Sequence, residues 1–236
     1  MAMNDQRPKD VWTRVPTMKE PLSKVVHELE EDIIFGKLRP RERLIEDVLM
    51  ERFCIKRHVA RQALVVLEQI GIVAREPNKG ARVRAFTPEE IEQIYDIRFM
   101  LHDKAASLIT LPGNHELTTR LTGIHDRFCA AVVSGDPAAV YLADGQFHEA
   151  LFEACGNPYL IDTIKRYAGI AHGFRAYRLT DESLLGRSKE QHTSMINALE
   201  TGDREALRAL VREHVESSMR VYLAYSKEIV GDNGDV

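Results

Sequence analysis

From Pro21 the apolar positions Leu22, Val25, Val26, Leu29, Ile33 and Ile34 recur at helical spacing up to Gly36, which ends the run. The segment KLRPRERL then turns the chain. Ile45–Phe53 reads as a short helix, and Arg57–Ile70 as a longer one with Val59, Ala63, Leu67 and Ile70 on one face. After Gly71 come two short runs of strand character, Ile72–Arg75 and Ala81–Phe86, joined by Glu76-Pro-Asn-Lys-Gly80. Two strands around a Pro/Asn/Gly turn predict a hairpin. Three helices and a hairpin over residues 19–86 predict a winged helix-turn-helix, preceded by a polar, aperiodic arm over residues 1–18.

The pattern changes at Thr87-Pro88-Glu89-Glu90. A threonine N-cap, a proline at the first helical position and a glutamate at the capping-box position predict a helix start, and the domain boundary is placed there. Helices are predicted at about 88–110, 115–134, 137–155, 157–179, 188–201 and 203–230, separated by Gly, Pro, Asn and Asp breaks. No strand signal follows residue 86, so residues 87–236 predict an all-α antiparallel bundle in a mainly α protein.

Length and charge sharpen that division. The 236 residues suffice for two small domains, each with its own core, and the composition excludes collagen, a disordered chain and a coiled-coil rod. The net charge of −4 hides an asymmetry. Residues 1–86 carry 17 basic and 13 acidic side chains, a net +4; the remainder carries 15 and 23, a net −8. A basic head on an acidic body suggests a polyanion-binding module, although excesses of this size also occur in enzymes. Cys54, Cys129 and Cys155 lack CxxC spacing, the start has no apolar signal segment, and no apolar run approaches the roughly 18 residues of a membrane span. A soluble cytoplasmic protein with no membrane partner is expected.

Within the basic head, Arg57 and Arg61 are four apart and share the polar face of their helix. Arginines there suit a recognition helix, whose first turns enter the major groove and grip guanine O6 and N7. Lys56 and His58 share its first turn. Lys37, Arg39, Arg41 and Arg43 offer charge to phosphates, and the wing tip Asn78-Lys79-Gly80 offers a close approach to the minor groove or backbone. A basic amphipathic helix is also an ordinary solvated surface, and these residues alone leave both readings open.

The stretch LRPRERLIEDVLMERFCIKRHVARQALVVLEQIGIVAREPNKGARV resembles the winged-helix domain of the GntR family of bacterial transcription regulators. That family runs through a PG-x-x-L turn, an SR-x-x-VREAL recognition helix, an L-x-x-x-G-L turn and a P-x-x-G-x-x-V wing. Arg57, Arg61, Ala63, Leu64, Gly71, Pro77, Gly80 and Val83 fit it. Arg41 stands in place of the turn glycine, Cys54 in place of the glycine before the recognition helix, Lys56 for serine and Gln62 for glutamate. The resemblance implies a homodimer on a palindromic double-stranded operator, with half-sites a helical turn apart.

In the acidic body several polar residues fall on apolar stripes. Val140, Tyr141, Phe147, Leu151 and Phe152 share a stripe with Asp144 and His148; His192 lies one turn before Ile196, and His214 follows Leu207, Leu210 and Val211. One carboxylate and three imidazoles on inward faces of three helices fit a first-row divalent ion, while each histidine singly also fits a core residue bonded to a carbonyl. Arg98 sits on the stripe of Ile91, Tyr95, Leu101, His102 and Ala105. A buried guanidinium there seeks a carboxylate, either a ligand's or a neighbouring helix's.

The segments DGQFHEALFEACGN, KEQHTSMINAL and TGDREALRALVREHVESS resemble the FCD effector domain of the FadR subfamily. The resemblance implies that Asp144, His148, His192 and His214 hold a metal, with zinc expected and nickel or manganese compatible. It also implies that Arg98 lies near a small carboxylate effector. Gln191 replaces the family's glutamate before the second histidine, and His102 replaces the glutamate four residues after the arginine. Arg175 and Arg178 are further effector candidates, and Asn157 reads better as a helix cap.

These features predict a metal-containing regulator that senses a small organic acid and releases its operator. A constitutive DNA binder with a structural metal is the first alternative, and a metal-dependent enzyme the remoter one. Paired Glu-x-x-His motifs, an activated nucleophile and a glycine-rich phosphate loop are not found, so no enzymatic activity is expected.

Overall fold

A computed structural model describes residues 18–76, 80–172 and 182–231. The arm expected before residue 18 lies outside them. In the N-terminal half, α1 (Leu22–Ile34), α2 (Glu46–Phe53) and α3 (Arg57–Ile70) enclose Val25, Leu29, Ala60, Ala63, Leu67 and Ile72, all essentially inaccessible to solvent. Burying this stripe is what holds these short helices in place, since helices of this length are marginal alone.

The sheet has three strands where a two-stranded hairpin was expected. β1 (Arg43–Leu44) pairs antiparallel with β3 (Gly80–Val83), which pairs with β2 (Val73–Glu76), giving the order β1-β3-β2. Arg43 lies opposite Arg82, and Leu44 opposite Ala81. Two residues are too few to show a period of two in the sequence, and β1 exists only because β3 supplies its hydrogen bonds. These elements form a winged helix-turn-helix.

The two positions where the chain departs from the glycine pattern are left-handed: Arg41 has φ 70° and Cys54 φ 52°. Cys54 closes α2, and the amide of Arg41 donates to Val83 O at 2.9 Å, so both are held there by their surroundings. An L-residue in this region costs roughly 1–2 kcal/mol, from which the extra chain entropy of an unfolded glycine subtracts about 0.5–1 kcal/mol. Cys54→Gly is therefore expected to stabilise the protein by about 0.5–1 kcal/mol, read as a higher urea midpoint. Cys54→Ala, which keeps the strain, should show no comparable gain.

The C-terminal half is a helical bundle of α4 (Pro88–Leu108), α5 (His115–Ser134), α6 (Pro137–Glu153), α7 (Pro158–His172), α8 (Glu182–Thr201) and α9 (Arg204–Gly231). Thr87 and Glu90 form a complete capping box at the start of α4, while Asn114, Asp136 and Asn157 accept backbone amides at the starts of α5, α6 and α7. Phe147, Leu151, Met195, Leu199 and Leu207 fill the core. The α8 helix starts six residues before the expected 188. Gly186 falls inside the added turns, yet Leu184, Leu185 and Ser188 are buried, and packing outweighs the roughly 1 kcal/mol penalty of a helical glycine.

Among the described residues the halves meet at several places. Ile34 joins Phe128, Val140 and Leu185 in one apolar cluster. Gly71, at the end of α3, abuts Ile170 of α7. Arg84, between β3 and α4, donates to Glu90 at 2.6 Å and to Gly71 O at 3.4 Å, with its guanidinium 4.3 Å from the Phe86 ring. Partial burial opposes ionisation of Glu90, but the Thr87 amide and Arg84 together hold its carboxyl below the ordinary value. No helix among the described residues is long and apolar enough to cross a membrane.

Candidate functional site

Three helices bring four side chains to one point. Asp144 and His148 come from α6, His192 from α8 and His214 from α9, and all four are buried. One candidate ligand atom from each lies within 4.8 Å of all the others. Asp144 Oδ1 is 3.7 Å from Nε2 of both His148 and His192. His148 Nε2 and His214 Nε2 are 3.0 Å apart. Two imidazole nitrogens so close repel unless a proton or a cation lies between their lone pairs.

The rings are fixed by what surrounds them. His192 is stacked on Phe147 with centroids 3.9 Å apart, and lies 5.0 Å from Phe128. His214 Nδ1 donates to Gln191 Oε1 at 2.9 Å, so its Nε2 is the nitrogen that faces the cluster. Gln191 thus takes the outer-shell position that commonly belongs to a carboxylate. The donor set, three imidazoles and one carboxylate, is the kind that first-row divalent ions prefer, and its burial and convergence fit such an ion.

A cavity opens beside the cluster. It contains about 410 Å³ of empty space, part of it open to solvent, and is lined by Arg98, His102, His148, His214, Phe152 and Ser218 with Ala168, Met195, Val211 and Val215. Arg98 is 5% exposed and lies 4.7 Å from the Tyr95 ring; the His102 ring lies against Phe152 at 4.6 Å. Two basic side chains therefore share one wall system with two of the candidate ligands. Arg175 and Arg178 lie outside the described residues, and Asn157 caps α7.

Sequence reasoning missed several neighbours. Ser218 lines the cavity one turn after His214, a spacing that could have flagged it. His125 of α5 sits edge-on to His192 at 5.8 Å, with Nε2 3.1 Å from Thr193 Oγ1. Burial pushes its pKa below the ordinary value, with Lys189 acting the same way and Asp126 against. The α4 and α9 walls are zipped by Arg208, which forks onto Asp103 at 2.8 and 3.0 Å. That hydrogen bonding holds the Asp103 carboxyl below its usual range.

In the other half, Lys56, Arg57, His58 and Arg61 are exposed at the start of α3, and Arg43 and Gly80 are exposed on the sheet. Lys79 lies outside the described residues. Lys56 occupies the N-cap of α3 without a side-chain cap, as the loss of serine implies. Arg57 and Arg61 meet acidic residues of α2, and Lys37 reaches the buried Asp32 at 3.3 Å, so these cations already have anionic neighbours.

Comparison with known proteins agrees with both halves. Residues 93–217 match the FCD domain family, and residues 21–83 match the family described as bacterial regulatory proteins, gntR family. An uncharacterised HTH-type transcriptional regulator, YdhC, of Bacillus subtilis (strain 168) is 23% identical over 80% of this chain and 84% of its own length. The gluconate operon transcriptional repressor of Bacillus licheniformis is 25% identical over 78% and 77%. The structure of E. coli McbR/YncC superposes with a TM-score of 0.76 at 20% identity, covering 88% of this chain and 99% of that one, a likeness of fold. The FCD match alone spans more than half of the 236 residues, and the chain belongs to the GntR family of bacterial DNA-binding transcription regulators, in its FCD-domain branch.

Proposed function

We propose that this regulator is a metal-containing sensor of a small organic acid, and that acid binding in the bundle controls operator binding by the winged domains of a homodimer. The observation that carries the reading is the shared cavity: Arg98 and His102 line the same space as His148 and His214 of the four-residue cluster. Asp144, His148, His192 and His214 would hold the ion, with zinc the expected occupant and nickel or manganese compatible. A bound divalent ion offers a Lewis-acidic position to one carboxylate oxygen of the ligand. Arg98 supplies a planar fork for a second anionic group, and His102 a further donor.

The likeness to a gluconate operon transcriptional repressor supports repression, and in this reading the acid relieves it. The boundary near residue 87 divides the sensing and DNA-binding parts. A route between them lies in α7: Ala168 lines the cavity, and Gly169 and Ile170 meet Ile70 and Gly71 at the end of α3. For the acid to act, it must bind one pose of this joint more tightly than the other.

The test uses the full chain, stripped with chelator or reloaded with zinc, and a panel of short mono-, di- and hydroxycarboxylic acids. The expected result is that at least one acid raises the melting temperature and releases operator from the zinc-loaded protein only. A constitutive binder with a structural metal would respond to zinc alone, and that outcome would overturn the sensing role.

A further inference from the structure

The first turn of α2 lays two carboxylates against two arginines of α3. Asp47 Oδ1 accepts from Arg57 Nη2 at 2.5 Å, and Glu46 Oε2 from Arg57 Nη1 at 3.4 Å. Glu46 also accepts from Arg61 Nε on both oxygens, at 3.0 Å each. Exposed ion pairs add little to stability, so these four groups are not explained as a staple. They are also costly on this surface. Two negative charges beside a recognition helix repel phosphates, in a domain whose positive excess is small.

The two arginines are gripped differently. Arg61 is held by Nε, and its terminal Nη1 and Nη2 make no hydrogen bond or ion pair to another side chain among the described residues. Their edge carries the two parallel donors that match guanine O6 and N7. Arg57 is held by both terminal nitrogens, so the same edge is already occupied by Asp47 and Glu46. Glu46 is also the better anchored acid, with 27% of its side chain exposed against 70% for Asp47. Both acids begin α2, where the helix dipole favours negative charge whether or not an arginine is present.

We propose that Glu46 and Asp47 are positioning residues for DNA sequence discrimination: Glu46 poses Arg61 to read a base pair through its terminal edge, and Asp47 with Glu46 withholds Arg57 from that role. Arg57 is then a bridging charge between α2 and α3. The carboxylates lower affinity for any duplex and raise the preference for the right one.

The experiment uses the full chain and two probes: the duplex it enriches from a random pool, and a shuffled duplex of the same composition. Binding is followed by fluorescence anisotropy at several salt concentrations, and melting temperatures confirm that each variant is folded. Arg61→Lys should lose roughly tenfold or more of the preference for the enriched duplex and flatten one base position per half-site. Arg57→Lys should weaken both probes by similar factors. Glu46→Gln should flatten the position that Arg61→Lys flattens while tightening binding to the shuffled probe, and Asp47→Asn should tighten shuffled binding without flattening that position. The proposal is overturned if Glu46→Gln tightens both probes equally, which would make the carboxylate a simple phosphate repellent, or if it changes neither. It is equally overturned if Arg57→Lys, and not Arg61→Lys, flattens the preference.

Discussion

His192→Asn should leave a folded protein whose zinc affinity has fallen at least ~100-fold, beyond the range seen when only an outer-shell partner is lost. The ring it replaces is fully buried, stacked on Phe147 and pointed at Asp144. Asparagine keeps most of the volume and some polarity, so the metal-free stability should change little. His192→Ala should lose the same affinity and also destabilise the metal-free protein by about 2–4 kcal/mol, because a cavity opens beside Phe128 and Phe147. The first quantity is read by competition with a chromophoric chelator, the second by urea unfolding of chelator-stripped protein. The two substitutions thus separate the ring as ligand from the ring as core. Undiminished zinc binding by His192→Asn would place the ion elsewhere.

That His192 stands out in the sequence has a physical reason. A polar side chain on an apolar stripe must find partners, and Asp144, His148 and His214 break their stripes in the same way. Helical spacing makes the inward direction legible, and the bundle brings the four together. What spacing cannot show is contact between distant segments. Gln191 meets His214 across 23 residues, and Glu46 meets Arg61 across 15 and Arg57 across 11. Asp32 sits beside Ile33 on α1, buried to 3% exposure, because Arg52 reaches it at 2.5 Å from another helix. The β1 strand and the early start of α8 escaped for a related cause: each is decided by a neighbour, β3 in one case and the cluster around Leu185 in the other. By contrast the left-handed Arg41 and Cys54 were foreshadowed by their departure from a glycine pattern.

Gly71→Ala and Gly169→Ala should move stability in opposite directions, although they are substitutions at facing positions of one joint. Gly71 ends α3 with φ 96°, and a β-carbon there would sit 3.1 Å from Ile170 Cγ1. Left-handed strain of roughly 1–2 kcal/mol adds to overpacking of about 1 kcal/mol or more, less about 0.5–1 kcal/mol recovered from the unfolded chain, for a net loss of about 2 kcal/mol. Gly169 lies inside α7, where a β-carbon would meet Ile70 Cγ2 at an ordinary 3.5 Å, so alanine should gain about 0.5–1 kcal/mol of helix propensity. Urea unfolding of the full chain reads both. Adding Ile170→Ala to Gly71→Ala should remove the steric part and leave the strain, so the double variant should be about 1 kcal/mol more stable than the sum of the single losses. Zero coupling would mean that α3 and α7 do not meet in solution, and that any signal from the cavity reaches the recognition helix by another path.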